Sequence, residues 1–177
     1  YRVNSDQWGV TVELIVSQID GRALSCPTAV AAASDGAVYF TDLAAARARH
    51  GVESALRTEL TAHTGTGSVY VYDPAARTVE TVLTGIAGAS GLALDEAAET
   101  LYVSDLGNRC IWAVDAAARE LTAGGRGCTA AFAGLPGYPG ALAVDEEGEV
   151  YISYRWARSG WLEDHADGTL LRGAALR

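Results

Sequence analysis

Short apolar runs separated by polar turns recur along the chain, and within the runs apolar and polar positions alternate. That period of two is the pattern of half-buried β-strands. Three stretches share it in the same order: PTAVAAASDGAVYFTD (27–42), SGLALDEAAETLYVSD (90–105) and PGALAVDEEGEVYISY (139–154). Each opens on a small residue or Pro, runs as a short apolar strand, breaks at a polar turn and resumes as VYFTD, LYVSD or VYISY. Tyr39, Tyr102 and Tyr151 mark a common register, 63 and 49 residues apart. The excess in the first interval is an excursion, 43–66. There the period changes: VESALRTELTAH (52–63) sets Val52, Ala55, Leu56, Glu59 and Leu60 at helical spacing and predicts a short amphipathic helix.

Each copy continues into a second hairpin. GSVYVYDPAARTVETVL turns at Asp73-Pro74; after Asp105 the run CIWAVD supplies a third strand and CTAAFAG (128–134) a fourth. Four short antiparallel strands repeated at roughly 40–50 residues are the signature of a β-propeller blade. An ordinary sandwich would need the aligned tyrosines and turns to coincide by accident. The expected fold is therefore all-β: a β-propeller of four-stranded antiparallel blades, about three of them present from a six-bladed parent. The blades divide as a blade end at 1–17, a blade at 18–83 carrying the insertion 43–66, a blade at 90–133, and a blade start at 139–154. Residues 155–177 fit no blade. A ring must close to cover its edges, so the chain reads as a fragment with the remaining blades missing, and inner strands should begin at Pro27, Ser90 and Pro139.

Composition narrows the chemistry. Of 177 residues 49% are apolar and 20% charged, ordinary for a globular domain. The net charge is −9, and all thirteen basic residues are Arg. The scattered acids disfavour nucleic acid as a partner, and the absence of Lys removes Schiff-base chemistry from this stretch. No apolar run reaches the roughly 18 residues of a transmembrane helix. Cys26, Cys110 and Cys128 lack metal-type spacing and read as three buried thiols, with one disulfide still open. No Gly-x-Ser-x-Gly elbow occurs, and Gly124-Gly125-Arg126-Gly127 reads as a turn because no helix follows it.

The run AVYFTD, a long insertion, GSVYVYDPAARTVETVL, GLAL and LPGYPGALAVDEEGEVYIS together resemble the strictosidine synthase-like family, related to gluconolactonases and paraoxonases. The likeness covers about 20–154; LPGYPG, and YDP after VYFTD, are its most specific parts. LYVSDLGNRCIWAVD also resembles an NHL repeat. The resemblance implies a six-bladed propeller with its pocket at one mouth of the central channel, acting on a small-molecule substrate. It implies an ester or lactone hydrolase first, an amine–aldehyde condensing (Pictet–Spengler) lyase as an alternative, and a non-enzymatic NHL-like binding propeller as another. The family's catalytic Glu would lie in a blade this chain lacks, so no catalytic residue is assigned. Calcium-binding relatives carry an Asn and an Asp where this chain has Ser90 and Gly140, so no metal or other cofactor is expected.

In such a fold the mouth gathers the excursion 43–66, the turn 106–108 and the entry loops 85–90 and 134–139. Long insertions at such a place are usually functional. The pocket-lining candidates are Thr28, Asp42, His50, His63, Ser90, Asp105, Tyr138 and Tyr154. Asp42 and Asp105 end equivalent strands, and the simpler role for each is an Asx-type cap on the turn that follows. His50 and His63 are general-base candidates by residue type; His165 has no assigned geometry.

Overall fold

The computed structural model describes residues 1–45 and 51–160. In chain order the elements are β1 (Arg2–Asp6), β2 (Gly9–Glu13), β3 (Gln18–Ile19), β4 (Arg22–Ala23), β5 (Pro27–Ala32), β6 (Val38–Asp42), α1 (Val52–Ala62), β7 (Gly67–Asp73) and β8 (Thr78–Ile86). They continue as β9 (Ala89–Asp95), β10 (Thr100–Asp105), β11 (Cys110–Asp115), β12 (Leu121–Thr122), β13 (Cys128–Phe132), β14 (Gly137–Val144) and β15 (Val150–Ala157).

The hairpins are set by a repeated local device. DPAAR, DEAAE and DLGNR each begin with an Asp whose Oδ1 accepts a backbone N–H within the turn: from Ala75 at 2.7 Å, Ala98 at 2.9 Å and Asn108 at 3.1 Å. Each ends on a residue in the left-handed region, Arg77, Glu99 or Arg109, with φ near 50°. The carboxylate replaces the amide partner that the reversed chain has lost, which is why Asp recurs at these positions.

Two blades are complete. The first runs β5–β6–β7–β8 from inside outwards and the second β9–β10–β11–β13, every pair antiparallel. β14 and β15 pair as the inner half of a third blade. The protein is thus a partial β-propeller of four-stranded blades. β12 was not foreseen from the sequence: it lies in the link between β11 and β13 and pairs in parallel with the outer edge of β8, Leu121 opposite Leu83. It covers backbone groups that an edge strand otherwise leaves bare. β9 and β14 begin at Ala89 and Gly137, one and two residues before the expected starts. β15 runs to Ala157, past the expected limit at 154.

The core lies between the two complete blades. Val69, Val82, Leu83, Ile86, Leu101 and Val103 have no exposed surface and pack together with Tyr39 and Leu92. Burying such side chains contributes about 1.5–3 kcal/mol each. The next interface is tighter still. A Cβ added to Gly91 on β9 would stand 2.0 Å from the carbonyl oxygen of Gly140 on β14. Glycine there lets the inner strands of neighbouring blades touch backbone to backbone.

Candidate functional site

One end of the sheets collects the termini of β6 and β10, the starts of β5, β9 and β14, and the helix α1. The helix buries Ala55 and Leu56 in a cluster with Cys26 and Leu43 from the first blade, Leu106 from the second and Tyr138 from the third. The 11-residue helix of the first blade's insertion therefore reaches across the second blade to the third. Its far side is tied to β15: Arg155 donates to Glu53 at 3.0 Å, and the Arg57 and Arg155 guanidiniums lie over the Trp156 ring at 5.5 and 5.8 Å. The Arg155 hydrogen bond, then its charge and Arg57, hold the exposed Glu53 carboxyl below its ordinary range.

The sequence candidates fall into distinct environments. The Asp105 side chain, fully buried, accepts from the Asn108 backbone and side-chain amides and from Trp112 Nε1 at 2.9 Å. Asp42 accepts from the backbone N–H groups of Ser25 and Cys26, at 3.0 and 2.5 Å. It caps the entry to β5, not the segment that follows it. Both carboxylates are thus engaged by backbone or indole donors. His63 caps the C-terminus of α1 in the left-handed conformation, its N–H donating to Glu59 O at 2.9 Å. Its imidazole lies against Gly107, where a Cβ would come within 2.6 Å of the ring. Tyr138 is buried beneath the helix, while Tyr154 is 44% exposed with its ring against Gly137. His50 and His165 lie outside the described residues.

Thr28 and Ser90 do the same work one blade apart. Thr28 Oγ1 donates to Ala89 O and Ser90 Oγ to Pro139 O, each at 2.9 Å. Each hydroxyl therefore crosses to the carbonyl at the entry of the next blade. Ser104 adds a third tie, Oγ to Gly140 O at 2.8 Å. Calcium requires six to eight oxygen ligands, several of them charged. Here Ser90 offers a hydroxyl already donated, and Gly140 offers no side chain. The residues present do not fit that ion. Among the described residues, no group of three or more His, Cys, Asp or Glu side chains stands close enough to hold a metal.

Glu59 was not among the sequence candidates, although the structure places it at this end of the sheets on α1. It is fully buried; its Oε1 accepts from the Thr64 hydroxyl and, at 3.4 Å, from Thr66, while Oε2 has no hydrogen-bond partner among the described residues. Burial pushes its carboxyl above the ordinary range, the Thr64 and Thr66 hydroxyls partly opposing. The signal was visible: Glu59 sits on the apolar stripe of the predicted helix, where a carboxylate is out of place. All three cysteines are buried and unpaired, closing the disulfide option, and burial takes Cys110 up to about 12. They are inert packing groups.

At the opposite end of the sheets, a cleft of about 760 Å³ opens between the turns of the two complete blades. Carboxylates including Asp35, Asp73, Glu96 and Asp115 line it, and Arg119 is held there by Glu80 at 2.7 Å. No helix among the described residues is long and apolar enough to cross a membrane.

Comparison with known proteins gives a consistent result. A family described as "SMP-30/Gluconolactonase/LRE-like region" matches residues 3–175. No curated protein matches the sequence. Among solved structures, a gluconolactonase from Xanthomonas campestris is similar at a TM-score of 0.63 and 24% identity, covering 86% of this chain and 48% of that one. A putative gluconolactonase is similar at 0.56 and 20%, covering 80% and 46%. A luciferin-regenerating enzyme is similar at 0.54 and 21%, covering 72% and 38%. The chain spans about half or less of the length of these structures.

Proposed function

The chain belongs to the SMP-30/gluconolactonase/LRE-like family, and from that premise we propose that it forms part of a lactone- or ester-hydrolysing propeller. The substrate is a small organic molecule taken at the channel mouth beneath α1. One observation carries the location: α1 packs on residues from three successive blades at the end where their inner strands begin. A helix so placed narrows the mouth and shields bound substrate from water.

In hydrolysis a water oxygen bonds to the carbonyl carbon, the ring or ester C–O bond breaks, and the proton passes to the departing alkoxide. A lactone gives one hydroxy acid. Thr28 and Ser90 serve here as ties that fix the spacing of the inner strands. Asp42 and Asp105, engaged as caps, hold the strand ends in place. His63 and the buried Glu59 of α1 are groups of this mouth whose residue types suit a general base, and Tyr138 supplies wall. The remaining catalytic groups belong to blades beyond those described. We read the chemistry as independent of calcium at Ser90 and Gly140, because the donor set there does not suit that ion.

The same donor set supports a second reading, the condensation of an amine with an aldehyde in the manner of the strictosidine synthase-like group. The test is a panel on the complete, assembled protein: an aldonolactone, aliphatic and aryl esters, and an aromatic ethylamine with an aldehyde. Acid release from a lactone or ester supports hydrolysis. Loss of aldehyde with formation of a carbon–carbon bond supports condensation. No turnover in any arm by folded protein overturns both.

A further inference from the structure

The insertion that carries α1 leaves the first blade after Asp42 and rejoins it at Gly67. One carboxyl gathers its two legs. Glu59 Oε1 accepts from the hydroxyls of Thr64 and Thr66 on the returning leg, and Thr66 Oγ1 accepts the backbone N–H of Ala45 on the outgoing leg at 3.0 Å. Ala45 O accepts from Ser25 Oγ at 2.9 Å, which fastens that leg beside the entry of β5. The Glu59 side chain enters between the blades: a Cβ on Gly88 would stand 3.4 Å from its Cβ and 3.3 Å from that of Leu106. Its second oxygen, Oε2, is buried and has no hydrogen-bond partner among the described residues.

A buried carboxyl held in this way is stable when neutral, whereas an ionised one lacks the donors that its charge requires. Burial is what raises it above the ordinary range, the Thr64 and Thr66 hydroxyls opposing in part. The charged groups on the surrounding elements are committed elsewhere. Asp42 turns to Ser25 and Cys26, Asp105 to Asn108 and Trp112, and Arg109 to Leu135 O. Arg57 and Arg155 pair with Glu53 on the exposed side of the helix. His63, Cys26 and Tyr138 complete the titratable set: the His63 imidazole lies against Gly107, while Cys26 and Tyr138 pack in the cluster under α1. Little else holds the helix. It has 11 residues, a Gly51 N-cap without a side-chain hydrogen bond and no basic residue in its last turn, and such a helix is marginal on its own. Exposed ion pairs of the Glu53 kind hold weakly.

We propose that α1 is a lid over the mouth, closed while Glu59 is neutral and opened when Glu59 ionises. The proposal rests on the reading of α1 as the cover of the site and adds its regulation by pH. The charge is solvated only once the helix has lifted, so loss of the proton and opening are linked. The open population is constant below the ordinary carboxyl range, rises about tenfold per pH unit above it, and levels off beyond the pKa of the docked state.

Cys26 is a built-in reporter of the lid: it lies in the cluster under α1, whereas Cys128 sits in the core between the complete blades. The experiment is labelling of the complete protein by a dipyridyl disulfide from about pH 4 to 9, with the sites separated by peptide mass mapping. Each rate is divided by that of the same cysteine in urea-unfolded protein at the same pH. In wild type the protection of Cys26 should fall about tenfold per pH unit across the window while Cys128 stays protected. In Glu59→Gln the protection of Cys26 should be level with pH. Hydrogen exchange on wild type supplies a readout that needs no variant: amides of α1 should open with the same pH dependence, and those of β7 and β8 should not. Neither readout uses a substrate, so each decides the lid whatever the hydrolysis panel shows. Wild-type Cys26 protection indifferent to pH would overturn the proposal. So would a slope that survives in Glu59→Gln, which would belong to His63 or another group, or a parallel loss of protection at Cys128.

Discussion

Replacing Glu59 by Gln should change how stability depends on pH, in a direction fixed by the helix packing. The carboxyl has no exposed surface, and its Oε2 lacks a partner among the described residues. Burial therefore raises its folded-state pKa above the ordinary glutamate value of 4.5. In the unfolded chain it ionises near that value, so between the two pKa values the folded state binds more protons. The stability it contributes is fully present below the unfolded pKa and is lost as pH rises through the folded one. Over that interval the loss runs at about 1.4 kcal/mol per pH unit. Gln keeps an oxygen for Thr64 and cannot ionise, so the variant lacks this loss. Urea unfolding of both proteins from pH 4 to 9 isolates the effect, because other titrating groups cancel in the difference. The variant should gain on wild type with that slope and then level off, the plateau divided by 1.4 giving the pKa displacement. Parallel curves across the whole range would show that Glu59 is solvated, and the packing of α1 would have to be redrawn.

Leu56→Ala should cost about 2–5 kcal/mol if α1 is docked as described. An 11-residue helix is marginal alone, so amides of 52–62 should lose exchange protection before those of β7 and β8; uniform loss would refute independent docking. Gly91→Ala places a Cβ 2.0 Å from Gly140 O, so the protein should fail to fold or lose the contact between β9 and β14; a melting temperature within a degree or two of wild type would contradict that contact. Excess Ca²⁺ should leave the melting temperature of the complete protein unchanged, whereas a ligand at 100 times its Kd would stabilise it by about 2.7 kcal/mol.

Much of the fold was legible because a propeller writes its period into the chain. The tyrosines at 39, 102 and 151 and the Asp-led turns repeat with the blades, and the helical stripe at 52–63 interrupts a period of two. β12 was not legible: two residues carry no periodicity, and their pairing depends on an edge 38 residues away, Leu121 opposite Leu83. The role of Asp42 was half legible. Its position at a strand end predicted a cap, yet the donors come from residues 25 and 26, brought beside it by strand pairing and not by adjacency. Thr28 and Ser90 were picked as pocket residues from their place in the repeat. Their ties to the next blade require the spacing between blades, which no local pattern encodes. The family that the comparison shows is the SMP-30/gluconolactonase/LRE-like one; the narrower strictosidine synthase-like resemblance rests on the LPGYPG and YDP motifs of the sequence.

The location of the site beneath α1 is the central claim, and hydrogen exchange with a slowly hydrolysed lactone analogue tests it most directly. At saturation, protection should rise in α1 and in the entry segments 87–90 and 135–139, with the turns around Asp35, Glu96 and Asp115 unchanged. Protection confined to those acidic turns would place the ligand in the cleft at the opposite end and contradict the account.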